Sequence, residues 1–121
     1  MKTSDPRLAP RRFKPHTHHQ MVWVKTSPFD KEWARDSEYY IPPAPLEVYF
    51  RVRSIFNNPR RLLEVSLVAV TLDRGVSFVD GRHRFAMLRD FGMSPIPVCM
   101  LSGEDFRNAE ALGRLILSPA Y

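Results

Sequence analysis

Between residues 63 and 100 the hydrophobic pattern changes period twice, and this constrains the fold more than any other feature of the chain. Residues 63–72 (LEVSLVAVTL) are rich in Val and Leu, as a buried strand requires. Asp73-Arg74-Gly75 reads as a tight turn, and residues 76–79 (VSFV) as the returning strand of a hairpin. The period then lengthens. Phe85, Leu88 and Phe91, with Met87 beside them, share one face of a helix running from about residue 82 to 91, and Gly92 suits its C-terminal stop. Residues 96–100 (IPVCM) return to strand character, with Pro95 and Pro97 pointing to a sheet edge or a strand start.

The rest of the chain is assigned around this run. Residues 21–25 (MVWVK) read as a first strand, and Ser27-Pro28 as the start of a turn. A short helix over 29–36 follows, with Phe29 and Trp33 on one face. Tyr39, Tyr40 and Ile41 form a short extended piece before a proline spacer at 42–45. Residues 46–56 fit both periods, but their length and the Asn57-Asn58-Pro59 stop favour a helix. Ser102-Gly103-Glu104-Asp105 resembles a capping box, opening an amphipathic helix over 106–117. The order strand, helix, helix, hairpin, helix, strand, helix specifies a small mixed α/β (α+β) domain over residues 21–121.

Composition sets the outer limits. With 121 residues the chain suits one domain, and 44% apolar residues can fill a core, which argues against global disorder. No apolar run reaches the length of a membrane span, so no membrane partner is expected. Cys99, the single cysteine, cannot form an intramolecular disulfide, and a cytoplasmic setting is the simplest expectation. The net charge of +5 is uneven: residues 1–20 hold five basic side chains and one acidic, whereas the other 101 hold 13 and 12. With Pro6, Pro10 and Pro15, residues 1–20 read as a flexible, irregular basic arm, either solvated or touching phosphates.

The candidate site is the junction Asp80-Gly81-Arg82-His83-Arg84, where the second hairpin strand becomes a helix. A helix N-terminus presents amides without intrahelical partners and about half a positive charge. Gly81 permits a positive φ or a close backbone approach. Arg82, His83 and Arg84 then place cations where they oppose the dipole, an arrangement that a bound phosphate would resolve. Asp80 is a candidate N-cap, an orienting group for a neighbouring side chain, or a ligand for a metal beside the phosphate. His83 is the candidate acid or base, or a simple hydrogen-bond donor.

The stretch VSFVDGRHRFAMLRDFGMSPIPVCM also resembles the core of the ParB/sulfiredoxin-like fold, through Asp80–Arg84, Ala86, Gly92 and Ile96-Pro97-Val98. The resemblance covers residues 65–101 and extends more weakly over 21–41, where the chain is similar to small ParB-like proteins of phages and plasmids. It implies nucleotide phosphates, of ATP or CTP, bound by Gly81, His83 and Arg84. With phosphates at this turn, Arg82 would neutralise charge and Mg2+ would be the companion ion, with Asp80 the leading candidate ligand. Arg82 stands where sulfiredoxins carry their catalytic cysteine, which argues against sulfinic-acid repair. Arg82 and His83 also replace the Glu and Arg of the ParB pattern. About 20 residues follow Met100, so a helix-turn-helix of the ParB type is not expected.

Three functions follow as expectations: a nucleotide-binding protein with weak NTPase activity; a DNA-binding protein or metal-dependent nuclease that uses the basic arm; and a non-catalytic regulator acting through a protein partner. Secondary candidates have plain alternatives. His16, His18 and His19 read as metal ligands or loop residues, and Arg51, Arg53, Arg60 and Arg61 as a phosphate groove or solvated charges. Asp30, Glu32 and Asp73 are further magnesium candidates. Of the aromatic residues, Trp23 and Trp33 fit a core, and Tyr39 and Tyr40 are open to base stacking.

Overall fold

The computed structural model describes residues 2–3, 13–14, 20–45, 63–113 and 116–119, with side chains described over 21–45 and 64–113. The strands are β1 (Lys2–Thr3), β2 (Phe13–Lys14), β3 (Gln20–Val24), β4 (Leu63–Glu64), β5 (Ser66–Thr71), β6 (Gly75–Asp80), β7 (Met93–Ser94), β8 (Ile96–Met100) and β9 (Ile116–Pro119). The helices are α1 (Thr26–Asp36), α2 (Arg82–Asp90) and α3 (Gly103–Ala111). Five strands form one sheet in the order β6-β5-β8-β3-β9, with only β5 and β8 parallel, so the domain is mixed α/β. Among the described residues no helix is long and apolar enough to cross a membrane.

Alternation along the strands decides which face is core. Val22 and Val24, Val68 and Val70, and Ile96, Val98 and Met100 point to one side. There they meet Phe29 and Trp33 of α1 and Phe85, Ala86 and Leu88 of α2. Each such large side chain contributes about 1.5–3 kcal/mol on burial. Phe78 of β6 closes an aromatic cluster, with ring centroids 4.6 Å from Trp33 and 5.0 Å from Phe85. The intervening positions Leu67 and Cys99 face the other way and form a smaller apolar cluster with Val65 and Met21.

Several expected elements hold. The first strand, the hairpin at Gly75, the helix over 82–90 and the positive φ of Gly92 match the pattern reading. Others shift. The first helix begins at Thr26, because Pro28 falls in its first turn, where a missing N–H costs nothing. Residues 38–39 form a turn, closed by Tyr40 N donating to the Ser37 carbonyl, where an extended piece was expected. Strand β8 is not at an edge but lies between β5 and β3. Pro97 is tolerated because the ladder to β5 begins only at Val98, so it sits at a strand start.

The last helix ends at Ala111 rather than near 117, and β9 pairs with β3 instead. Gly113, with φ 77°, takes the left-handed conformation that terminates a helix. Two short strands, β1 and β2, fall within the segment read as an irregular arm and pair with β7 and β4. The helix expected over 46–56 lies outside the described residues.

The capping box at Ser102 does more than start α3. The Ser102 hydroxyl accepts the Asp105 amide at 3.3 Å and donates to Asp105 Oδ2 at 2.8 Å. The parallel ladder with β8 ends at Val68, leaving the next inward-facing groups of β5 to be satisfied otherwise. Asp105 Oδ1 accepts the Val70 amide at 2.8 Å, and Asn108 donates to the Val70 carbonyl at 2.9 Å. A buried Asp here is therefore a substitute strand partner, which a longer Glu side chain would overshoot. Asp105→Ala should lower the stability measured by urea unfolding by about 1–3 kcal/mol through the unsatisfied Val70 amide. Ser102→Ala should cost less, about 1 kcal/mol; the reverse order would contradict this role.

Candidate functional site

The site is built by the register of β5 against β6. Leu67 pairs with Asp80 at the end of the hairpin, which brings Ser66 beside Gly81. The Ser66 hydroxyl donates to the Gly81 carbonyl at 2.7 Å, and the Phe85 amide donates to the same oxygen at 3.0 Å as the first helical bond of α2. Gly81 has φ 82° and is itself the N-cap, so no side chain caps the helix. The expectation of Asp80 as N-cap is thereby corrected: Asp80 ends β6, one residue too early. The first turn of α2 holds no acidic residue and carries Arg82, His83 and Arg84.

All five candidates, Asp80, Gly81, Arg82, His83 and Arg84, line one cleft of about 370 Å³, whose apolar flank is Phe78, Val79 and Met87. Within it the three cations differ. His83 is exposed, and Arg82 is exposed with its guanidinium 5.3 Å from the centre of the Tyr39 ring. Arg84 is drawn inward: Nη2 lies 3.9 Å from Glu64 Oε2, a partly exposed pair of little energetic weight. Arg84 Nη1 is buried with no hydrogen-bond partner among the described residues. A buried, unmatched guanidinium nitrogen leaves a desolvation cost uncompensated, which an anion oxygen would relieve.

A cavity-lining glycine is required beneath this arginine. A Cβ on residue 81 would stand 2.8 Å from Ser66 Oγ and 2.9 Å from Arg84 Nη1, in addition to the strain of a positive φ.

The metal candidates do not converge. Asp30 is engaged by Arg89 and Tyr40, Glu32 by Arg35, and Asp73 sits in the distant hairpin turn. Among the described residues no group of three or more His, Cys, Asp or Glu side chains could hold a metal ion. Of the proposed ligands only Asp80 is at the cleft. The 16–19 histidines and Arg51, Arg53, Arg60 and Arg61 lie outside the described residues. Trp33 is fully buried and Trp23 packs against the core, while Tyr39 is 62% exposed.

A polar cluster that pattern reading did not find lies at the far end of the same helix. Arg89 Nη1 donates to Asp30 Oδ1 at 2.8 Å and to the Ile41 carbonyl at 2.7 Å, and its Nε donates to Asp90 Oδ1 at 2.9 Å. Tyr40 donates to Asp30 Oδ2 at 2.9 Å, and Asp90 Oδ2 accepts the Ala44 amide at 3.3 Å. Burial alone would push the Arg89 guanidinium down, but its bonds to Asp90 and Asp30 outweigh that, so it is held above its ordinary value and stays charged. The network ties the segment 40–44 to α1 and α2. The only hint in the sequence was an Arg-Asp pair at the end of an amphipathic helix, which a solvated pair would share.

No family model matches the chain, no curated protein matches it, and no solved structure matches it.

Two predictions follow from this geometry. Gly81→Ala should destabilise the domain by about 1–3 kcal/mol in urea unfolding, through the left-handed φ and the crowding of Ser66. Unchanged stability would contradict the turn. Burial, then the hydrogen bond to Asp30, raises the Tyr40 phenol above its ordinary 10.0. The native state therefore holds this proton more tightly than the unfolded chain. Its stabilising contribution is complete below pH 10 and is lost as the pH rises through the folded value. The late-ionising phase in an ultraviolet alkaline titration should disappear in Tyr40→Phe; a trace identical to the parent's would contradict the assignment.

Proposed function

We propose that the chain is a ParB/sulfiredoxin-like nucleotide-binding protein that holds phosphates at the Gly81–Arg84 turn. One observation carries the reading: Arg84 Nη1, buried and without an acceptor among the described residues, beside an uncapped helix N-terminus in a cleft. Two further features support it. The first turn of α2 concentrates cations where a helix disfavours them. The cleft also combines this cationic end with an apolar flank, as a phosphate attached to an organic group requires.

In this reading Arg84 clamps a phosphate oxygen, the amides at the start of α2 bind a second, Arg82 lowers the local negative charge, and His83 donates to the phosphate or accepts a proton from water. Mg2+ would arrive with the phosphates and meet Asp80, relieving charge between adjacent phosphate oxygens. Weak NTP hydrolysis is the associated activity. A reducing cytoplasm suits the lone, buried Cys99.

The test is a thermal-shift panel of ATP, CTP, GTP and UTP with and without magnesium. At least one nucleotide should raise Tm, and Arg84→Ala should weaken its apparent Kd roughly ten- to a hundredfold, the loss of a charge-assisted bond. Shifts unaffected by Arg84→Ala would overturn the site. A DNA-directed protein would behave differently: its duplex affinity would fall with salt at a log–log slope near −0.9 per phosphate contact, and removing residues 1–20 would flatten that slope.

A further inference from the structure

The cationic turn explains a phosphate but leaves an exposed aromatic beside it unexplained. Tyr39 is 62% exposed, the most exposed of the large hydrophobic side chains described. It is not loose. Its amide bonds Ser37 Oγ at 3.4 Å, within the turn that Tyr40 closes on the Ser37 carbonyl at 3.3 Å. Its neighbour Tyr40 is fixed by Asp30 and by edge-on packing on Trp33 at 4.8 Å, and Ile41 is fixed by Arg89. The buried network therefore anchors the chain immediately after Tyr39, although Tyr39 has no part in it.

The Arg82 guanidinium lies over the Tyr39 ring, 5.3 Å from its centre. Arg82 also lines the cleft with Arg84, so it links the ring to the phosphate-binding end. A guanidinium held on an aromatic ring keeps its in-plane N–H donors free for an anion. On the side of the cleft, Val79 is 55% exposed and offers an apolar rest next to the same cations. An exposed, anchored ring, a planar cation and an apolar shelf within reach of a phosphate site form the surface on which a planar heterocycle stacks.

We propose that Tyr39, held against Arg82, is the stacking platform for the base of a nucleotide whose phosphates occupy the Gly81–Arg84 turn, making Tyr39 the residue that selects nucleotides over base-free polyphosphates. This rests on the phosphate reading above, and the experiment separates the two. The full chain is titrated with ATP, CTP, GTP and UTP, and with inorganic tripolyphosphate, at one magnesium concentration.

The preferred nucleotide should bind more tightly than tripolyphosphate. Tyr39→Ala should weaken that nucleotide about 5- to 100-fold, the range for losing one base–aromatic stack, and leave tripolyphosphate unchanged. Tyr39→Phe should retain nucleotide affinity, since the ring and not the hydroxyl is the platform. At an exposed position neither substitution threatens folding. Equal affinity for nucleotides and tripolyphosphate, or a Tyr39→Ala protein that keeps the nucleotide preference, overturns the platform while leaving the phosphate site intact. Absence of binding by every polyanion, or binding indifferent to Arg84→Ala, overturns both.

Discussion

The geometry of the candidate site depends on one oxygen. The Gly81 carbonyl receives the Ser66 hydroxyl from β5 and the Phe85 amide from α2. These two bonds join β5, the strand next to the sheet edge, to the start of α2, and the packing around them leaves no room for a side chain at residue 81. They fix the left-handed turn, and with it the direction in which the helix N-terminus opens. Ser66 is a buried polar residue at the head of a strand that is apolar from Leu67 to Val70, and its hydroxyl has a partner because the turn carbonyl is there to accept it. The hairpin register supplies the alignment; the core beneath Phe85 and Leu88 holds the helix against it.

The two arginines at opposite ends of α2 show how context decides the role of one residue type. Arg89 is almost fully buried, and Asp30, Asp90 and the Ile41 carbonyl accept its bonds. Its charge is matched, and its function is to fasten the 40–44 segment. Removing any one acceptor would leave part of a buried charge uncompensated. Arg84 is partly buried too, yet its nearest carboxylate stands 3.9 Å away and one nitrogen has no acceptor among the described residues. The helix dipole favours the first arrangement and opposes the second. Acceptors among the described residues satisfy Arg89, whereas one nitrogen of Arg84 is left for the anion proposed above to satisfy.

Much of this was legible in the sequence because it was local. Period-two valines, the Gly75 turn, the Phe85–Leu88 stripe, the Gly92 stop and the Ser102 cap each act within a few residues, where pattern and propensity agree. The cluster of cations after Gly81 was legible for the opposite reason, since it violates the local rule. What escaped was long-range. Asp30 and Arg89 are 59 residues apart, and nothing in either neighbourhood announces their bond. Asp105 looked like a helix cap, and its role as a strand partner to Val70 depends on where β8 ends. The helical pattern of residues 106–117 runs through Gly113 into the first two residues of β9, but the positive φ of Gly113 ends the helix. Pro97 left a sheet edge and a strand start open, and the offset between β5 and β8 selects the strand start, in the middle of the sheet.

The central claim is that the turn after β6 binds anionic oxygen through Arg84 and the amides that follow Gly81. An amide and arginine side-chain NMR titration of the full chain with inorganic pyrophosphate tests it without assuming a base, a metal or a turnover. The account predicts saturable shifts concentrated at residues 81–85 and at the Arg84 guanidinium. Shifts confined to the basic residues of the first twenty positions, or an Arg84 signal indifferent to saturating pyrophosphate, would contradict it.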